Sequence, residues 1–305
     1  MRPTSQYLKF TVSPQEAGTP LLAYIMKCLN GISRTKAKAV LSGGGVRVEG
    51  QNTTQHDLLL EAGQRVEISK SKPRAVLRNR YVRLVYEDRH LLVIDKAPGI
   101  LSMPTPHHTF SVKAVLDDYL QKSHRKCTAH VVHRLDRDTS GLMVYAKTME
   151  AERILEEHWH EIVSDRRYVA VVSGRMEQRS GTVESWLKET KAFFTYSSHE
   201  PGDGKYALTH FKLLRRDNAH SMVELRLETG RKNQIRVHMQ DLGHPVCGDP
   251  KYGGADDNPC HRLALHAFRL HFRHPITGEP LRFDTPTPQV FKDVFGTDHS
   301  AADRD

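Results

Sequence analysis

The sequence is poor in cysteine and has no long apolar run. Its four cysteines, Cys28, Cys127, Cys247 and Cys260, are scattered, and no Cys-x-x-Cys pair occurs. That usage excludes a disulfide framework and points to a reducing compartment, the cytoplasm. No apolar stretch reaches the ~18 residues of a membrane span. The apolar residues 21–26 stop at Lys27 and lack the basic, apolar, small-residue order of a secretory leader, so no membrane partner is expected. Neither a Walker loop nor Gly-x-Gly-x-x-Gly is present, which removes the common nucleotide-binding signatures. Internal repeats are absent as well. What remains is 305 residues, 38% apolar and 27% charged, enough for packed cores in roughly two domains.

The positive charge is unevenly placed. Residues 1–80 hold 13 Lys/Arg against 5 Asp/Glu, a net of +8 out of a total of +9. Concentrated charge of this kind suits a polyanion through phosphate neutralisation, or else forms a solvated face.

After a polar lead-in, residues 21–26 read as a short helix closed by Asn30-Gly31. Ser33 is a good N-cap for a second helix, 34–41, stopped by Gly43-Gly44-Gly45. Ala37, Val40 and Leu41 share one face of that helix, while Arg34 and Lys38, four apart, lie together elsewhere on its surface. Strands follow at 46–49, where Arg47 alternates with valines, and at 65–68. Two helices with a basic ridge and a small sheet make a module over 1–70. The basic, acid-free stretch 71–80 contains Pro73 and reads as a linker.

From residue 81 strand patterns occur at 81–86, 91–95, 142–147, 168–173, 208–214 and 222–228, with amphipathic helices at 111–121 and 149–160. Strands outnumber helices and few βαβ alternations appear. The expected class is α+β, a mixed and mostly antiparallel sheet flanked by helices, over 81–295. A polar tail, 296–305, is expected to be disordered.

The most unusual segment is Val131-Val132-His133-Arg134-Leu135-Asp136-Arg137-Asp138-Thr139-Ser140-Gly141. An apolar strand end runs into charged residues, a Thr-Ser-Gly turn and another strand. A carboxylate on such a turn is pre-organised for catalysis, or accepts backbone N–H groups within the turn. By pattern alone both readings stand.

Residues 133–141 resemble the catalytic signature of the RluA-type RNA pseudouridine synthases, and other segments agree in order. Ile94-Asp95-Lys96-Ala97-Pro98-Gly99 is similar to the family's Lys-Pro-x-Gly segment with Ala and Pro exchanged. Arg167-Tyr168-Val169-Ala170-Val171 resembles its tyrosine-bearing strand, and Thr229-Gly230-Arg231-Lys232-Asn233-Gln234-Ile235-Arg236-Val237-His238 its late motif. Gly243-His244-Pro245, Gly248-Asp249-Pro250-Lys251-Tyr252-Gly253 and Leu265-His266-Ala267 resemble the closing segments. The module over 1–70 resembles the RNA-binding domain named after the fourth protein of the small ribosomal subunit. That likeness rests on Ser33-Arg34-Thr35-Lys36-Ala37 and Gly45-Val46-Arg47-Val48-Glu49-Gly50, with Thr19-Pro20-Leu21-Leu22 in place of the usual Arg-Leu-Asp opening.

These resemblances imply a pseudouridine synthase fold, an enzyme that needs no cofactor or metal, and RNA as partner. They assign Asp136 the chemistry, Arg236 the role of its positive partner, and Tyr168 stacking on the uracil with removal of the carbon-5 proton. Arg134 is assigned base displacement and Arg231 a phosphate; Arg34, Lys36, Lys38 and Arg47 become RNA contacts. Asn233 stands where the family usually has histidine and cannot titrate. A helix bearing Arg236 is expected from about Lys232 to Gly243. The chain is read as a monomer acting on large-subunit ribosomal RNA. A transfer RNA target, a catalytically silent RNA-binding or ribosome-assembly factor, and a metal-dependent nuclease or phosphatase using Asp136 and Asp138 are the alternatives. Cys127-x-x-His130-x-x-His133 lacks a fourth ligand and a fitting period and is not taken as a zinc site. Phe193, Phe194 and Tyr196 suit either RNA stacking or packing.

Overall fold

The computed structural model describes residues 7–69, 77–123, 126–253 and 256–296. The chain divides into two compact units, Met1–Arg78 with Asp117–Thr128, and Asn79–Leu116 with Ala129–Asp305. Most of the linker expected over 71–80, and the tail expected over 296–305 apart from Gly296, lie outside the described residues. Among the described residues no helix is long and apolar enough to cross a membrane.

The first unit contains β1 (Tyr7–Thr11), α1 (Leu21–Cys28), α2 (Arg34–Ser42), β2 (Val46–Val48), β3 (Gln51–Asn52) and β4 (Arg65–Ser69). Its antiparallel sheet runs β1-β4-β2-β3. Leu21 and Ile25 of α1, Ala37 and Leu41 of α2, and Val46, Val66 and Ile68 of the sheet close one core. Each pair on a helix is spaced i, i+4, so both helices present one apolar stripe to the strands. Ser33 caps α2, its Oγ accepting the Lys36 N–H at 3.4 Å. Asn30 and Gly31 end α1 in the left-handed region, with Gly31 N–H returning to the Met26 carbonyl. One expectation is corrected: residues 7–11, read as part of a polar lead-in, form β1. Leu8 pairs with Ile68 and Phe10 with Val66, and Phe10 packs on the core, so the half-apolar alternation is used as an edge strand.

The second unit is built on an eleven-stranded sheet. In chain order its elements are β5 (Val82–Glu87), β6 (Leu91–Lys96), the start of α3 (Val112–Ser123, counted with the first unit from Asp117 on), β7 (His130–Val131), β8 (Ser140–Ala146), α4 (Met149–Glu157) and α5 (Trp159–Ile162). They continue with β9 (Val163–Ser173), β10 (Ser180–Glu189), β11 (Thr195–Ser198), β12 (Lys205–Arg216), β13 (His220–Leu227) and α6 (Gln234–Asp241). The chain closes with β14 (Leu265–Arg273), β15 (Pro280–Asp284) and α7 (Gln289–Asp293). Strand order is β11-β10-β12-β13-β9-β14-β8-β6-β5, with β15 on β14 and β7 on β8. Among the described strands β8 and β14 pair in parallel and the other pairs are antiparallel, the mixed sheet of the α+β class expected.

Every residue of β8 is buried, which explains why it reads as a continuous apolar run rather than an alternation. Leu142 and Val144 meet Ala151 and Leu155 of α4 and Leu270 and Phe272 of β14 in one core cluster. The helix expected over 149–160 is broken instead. Glu157 ends α4, and His158, at φ −118°, turns the chain so that Trp159 stacks on the His133 ring at 4.7 Å.

Candidate active site

Asp136 sits in the connection from β7 to β8, and that connection is pinned from beneath. Leu135 exchanges two hydrogen bonds with the buried Ser102 hydroxyl, its N–H donating at 3.1 Å and its carbonyl accepting at 2.7 Å. The carbonyl of Arg137 accepts from Gly99 N–H at 2.9 Å and from Lys96 Nζ at 2.8 Å. Lys96 is completely buried and also donates to the carbonyls of Ala97 and Ile100. Burial pushes its ammonium down to about 7, against the pull of Asp138 and Asp136. Downstream, Gly141 has φ 119°, and a Cβ there would lie 2.2 Å from the Ala267 carbonyl oxygen. Only glycine permits the parallel contact of β8 with β14.

Arg236 lies on α6. The preceding Asn233 is in the left-handed conformation at φ 55°, a region in which asparagine is enriched. Its side chain bridges three neighbours, with Oδ1 accepting from Arg236 Nη1 at 3.0 Å and Nδ2 donating to Tyr252 Oη at 3.1 Å and to Thr195 Oγ1 at 3.4 Å. The start of α6 is held by Gln234, which bonds Thr229, Arg231 N–H, the Leu208 carbonyl and Thr209. His238, one turn along, is buried between Ser185 and Thr209, and burial holds it neutral, down to about 4.

The Asp136–Arg236 pair is longer than the one beside it. Arg236 Nη1 donates to Asp136 Oδ2 at 3.3 Å. The same guanidinium donates from Nε and Nη2 to both oxygens of Asp249 at 2.7 Å each, the bidentate geometry that arginine fits best. Asp249 is fully buried, and it also accepts the N–H groups of Lys251 and Tyr252. Two carboxylates therefore share one cation, with the buried one holding the fork. Burial opposes the charge on Arg236, but Asp249 first and Asp136 second raise its affinity for the proton above the ordinary value.

These groups open onto a cavity of about 490 Å³, within the size range of small-molecule sites. Asp136, Tyr168, Arg236, Arg134 and Arg231, separated in sequence by up to a hundred positions, all line it. Tyr168 is buried on β9, in register with Leu225 of β13 and Ala267 of β14. Its phenol is raised above the usual value by burial; Arg166 pulls it back and Asp136 pushes it further. Arg134 is exposed, and Arg231 is exposed with Nε donating to the Tyr206 carbonyl at 2.9 Å. Asp138 is turned outward and paired with Arg137. Arg34, Lys36 and Lys38 are exposed on α2, and Arg47 is half-buried over the Tyr7 ring at 4.6 Å. They belong to the first unit and are not among the cavity residues.

Several lining groups were not identified from the sequence. Arg166, two residues before Tyr168 and so on the same strand face, donates to the Thr229 carbonyl at 3.0 Å. The His133 ring accepts the Val144 N–H on Nε2, which places its proton on Nδ1. That Nδ1 is the one buried side-chain polar atom without a partner among the described residues. Lys96 and Asp249 occur in segments singled out for their resemblance, but their positions beneath the loop and behind Arg236 depend on tertiary contacts.

Residues 90–241 match the family model described as RNA pseudouridylate synthase. The chain is 38% identical over 278 residues to YjbO of Bacillus subtilis, an RNA pseudouridine synthase, covering 88% of this chain and 96% of that protein. It is 35% identical over 310 residues to ribosomal large subunit pseudouridine synthase D of Xanthomonas campestris, covering 94% and 91%. The chain belongs to the RluA-type family of RNA pseudouridine synthases. Among solved structures, human RNA pseudouridylate synthase domain containing 1 superposes with a TM-score of 0.56 at 27% identity, over 70% of this chain and 85% of that one. As an RNA pseudouridine synthase it is an isomerase acting on uridine in RNA, and the cavity over Asp136 lies largely within the matched segment.

Proposed function

We propose that the chain isomerises uridine in large-subunit ribosomal RNA, with Asp136 as the reacting group. The observation that carries this reading is the Asp136 carboxylate on a pinned loop at the floor of the cavity, 3.3 Å from a guanidinium that is itself fixed by a buried carboxylate. The reaction breaks the bond from ribose C1′ to N1, rotates the base, joins C1′ to C5, moves the C5 proton away and leaves a proton on N1. No atom is gained or lost. Asp136 starts it, either by adding to the sugar or base or by removing a sugar proton, and Arg236 donates a hydrogen bond to its carboxylate.

Tyr168 packs on the uracil. A buried phenol raised above its usual value is a weak base at neutral pH, so packing is its larger contribution. The target uridine must leave the helical stack, at a cost of a few kcal/mol. Exposed Arg134, two residues before Asp136, displaces it and fills the gap with its planar fork. Arg231 takes a phosphate at the rim. The chain is proposed to act as a monomer.

The first unit supplies affinity for the RNA backbone through Arg34, Lys36 and Lys38, exposed along α2, and Arg47. RNA binding is supported by the concentration of positive charge in residues 1–80, and a ribosomal target by relatives named for the large ribosomal subunit. Pseudouridine mapping of ribosomal and transfer RNA from a deletion strain, complemented with wild type or Asp136→Asn, tests the reading. A site lost from large-subunit RNA and restored only by wild type is expected. Loss confined to transfer RNA overturns the target, and restoration by Asp136→Asn overturns the assignment of Asp136.

A further inference from the structure

The connection between β10 and β11 holds an aromatic ring away from the protein. Phe193 is 70% exposed, the most exposed aromatic side chain among the described residues. It also adopts φ 59°, a left-handed conformation that bulky residues avoid and that glycine or asparagine would adopt without strain. A single exposed aromatic needs no explanation by itself. An exposed aromatic held in a strained backbone does, because the fold gains no burial from it.

The turn is braced on both sides. Phe193 N–H donates to the Thr190 carbonyl at 2.9 Å, and Thr190 N–H donates to the Phe194 carbonyl at 2.8 Å. Lys251 Nζ donates to the Phe193 carbonyl at 2.7 Å, and Phe194 packs its ring on Tyr252. The strained residue is thus fixed, with its ring outward.

Its surroundings select a ligand. Lys232 Nζ, which is paired with Glu189, lies 5.3 Å from the centre of the Phe193 ring, and Lys232 lines the cavity over Asp136. Lys251 is lowered by burial and then by the charges of Lys232 and Arg236, with Glu189 and Asp136 pulling the other way, so positive charge outweighs negative at this rim. An open π-face beside two ammonium groups matches an unpaired nucleobase and its phosphates, whereas an apolar protein partner would have to bury Lys251 and the Lys232–Glu189 pair away from water.

We propose that Phe193 is a stacking subsite for an unpaired base of the substrate RNA flanking the target uridine, with Lys232 and Lys251 neutralising the adjoining phosphates. The proposal rests on the reading of the neighbouring cavity as the uridine site.

The probe is a fluorescein-labelled oligouridylate of roughly ten nucleotides, within single-strand site sizes, compared with an abasic ribose-phosphate oligomer of the same length. In fluorescence anisotropy Phe193→Ala weakens oligouridylate binding about 10-fold, equal to about 1.4 kcal/mol, and Phe193→Trp does not weaken it. The abasic oligomer binds wild type and Phe193→Ala equally. Lys232→Gln lowers the slope of affinity against salt by about one contact, whereas Phe193→Ala leaves the slope unchanged. Equal oligouridylate affinity for wild type and Phe193→Ala, or the same loss on the abasic oligomer, overturns the subsite. Asp136→Asn separates the two readings: it binds oligouridylate as wild type does, and full isomerase activity in that variant would sink the assignment of Asp136 while leaving the binding result standing.

Discussion

Asp249→Asn tests whether Arg236 is held from behind. In the native arrangement both oxygens of Asp249 accept from Arg236 at 2.7 Å, while Asp136 accepts one bond at 3.3 Å. The variant keeps the side chain's shape but turns one acceptor into an NH₂ group facing a guanidinium N–H. Arg236, 12% exposed, is left with the one remaining oxygen at position 249, one weak carboxylate partner and the Asn233 amide. Breaking a buried pair by removing one charge costs about 3–5 kcal/mol. For a unit of this size that lowers the melting temperature by roughly 6–20 °C. Asp249 is fully buried behind Arg236 and is not among the cavity residues, so its effect on catalysis passes through that arginine. Freed from the fork, the guanidinium swings, and a misplacement of about 1 Å costs on the order of 100-fold in rate. Single-turnover kinetics below the lowered melting temperature should show that loss in kcat, with KM changed less than about 3-fold. Asp249→Glu should not rescue it, because the longer side chain has no space in a fully buried site. A folded Asp249→Asn protein with wild-type kcat would refute the positioning argument.

Three further outcomes follow from other parts of the structure. Gly141→Ala should destabilise the second unit by about 3 kcal/mol or more, seen as a large drop in thermal midpoint, because its Cβ meets the Ala267 backbone and its φ is left-handed; a midpoint within 2 °C of wild type, a margin of about 0.5–1 kcal/mol, would contradict the contact. Lys96 binds its proton less tightly when folded, about 7 against 10.5, so the unfolded chain carries the extra proton between those values. Stability should therefore rise with pH across that window, by up to about 1.4 kcal/mol per pH unit, and Lys96→Met should flatten the rise in urea melts. Replacing Arg34, Lys36 and Lys38 together by glutamine should lower the salt slope of binding to substrate RNA by roughly 2, at about 0.7 per single-strand contact, without changing kcat at saturation; an unchanged slope would remove α2 from the RNA interface.

The parts of this protein legible in its sequence are those where local chemistry and fold agree. Ser33 caps α2, Asn30-Gly31 ends α1, and the apolar run 142–146 is a strand buried on both faces. Residues 7–11 were hidden because β1 is an edge strand whose alternation is only half-buried. β10 was missed for a related reason: Val183, Ser185 and Leu187 face inward, but Ser185 is a polar inward residue, satisfied by His238 and Ser197. The break at His158 depends on where Trp159 must point, and no helical period carries that information. Asp136, Tyr168, Arg134, Arg231 and Arg236 were singled out through ordered motifs, and the fold brings them to one cavity. Lys96 and Asp249 needed coordinates, since a lysine under three carbonyls and an aspartate behind an arginine look like ordinary surface residues in a sequence. The Asn233 substitution also acquires a reason only in three dimensions, as a left-handed residue that holds Arg236 with its side chain.

The central claim is that Asp136 is the reacting carboxylate. Asp136→Asn removes the negative charge while keeping the size of a side chain that is one-third exposed, so folding and RNA affinity should be preserved. The direct measurement is single-turnover pseudouridine formation by purified wild type and Asp136→Asn on the same ribosomal RNA, at protein concentrations that saturate binding for both. No detectable product is expected from the variant at times when wild type has converted the target fully. Conversion by Asp136→Asn within tenfold of the wild-type rate would contradict the claim.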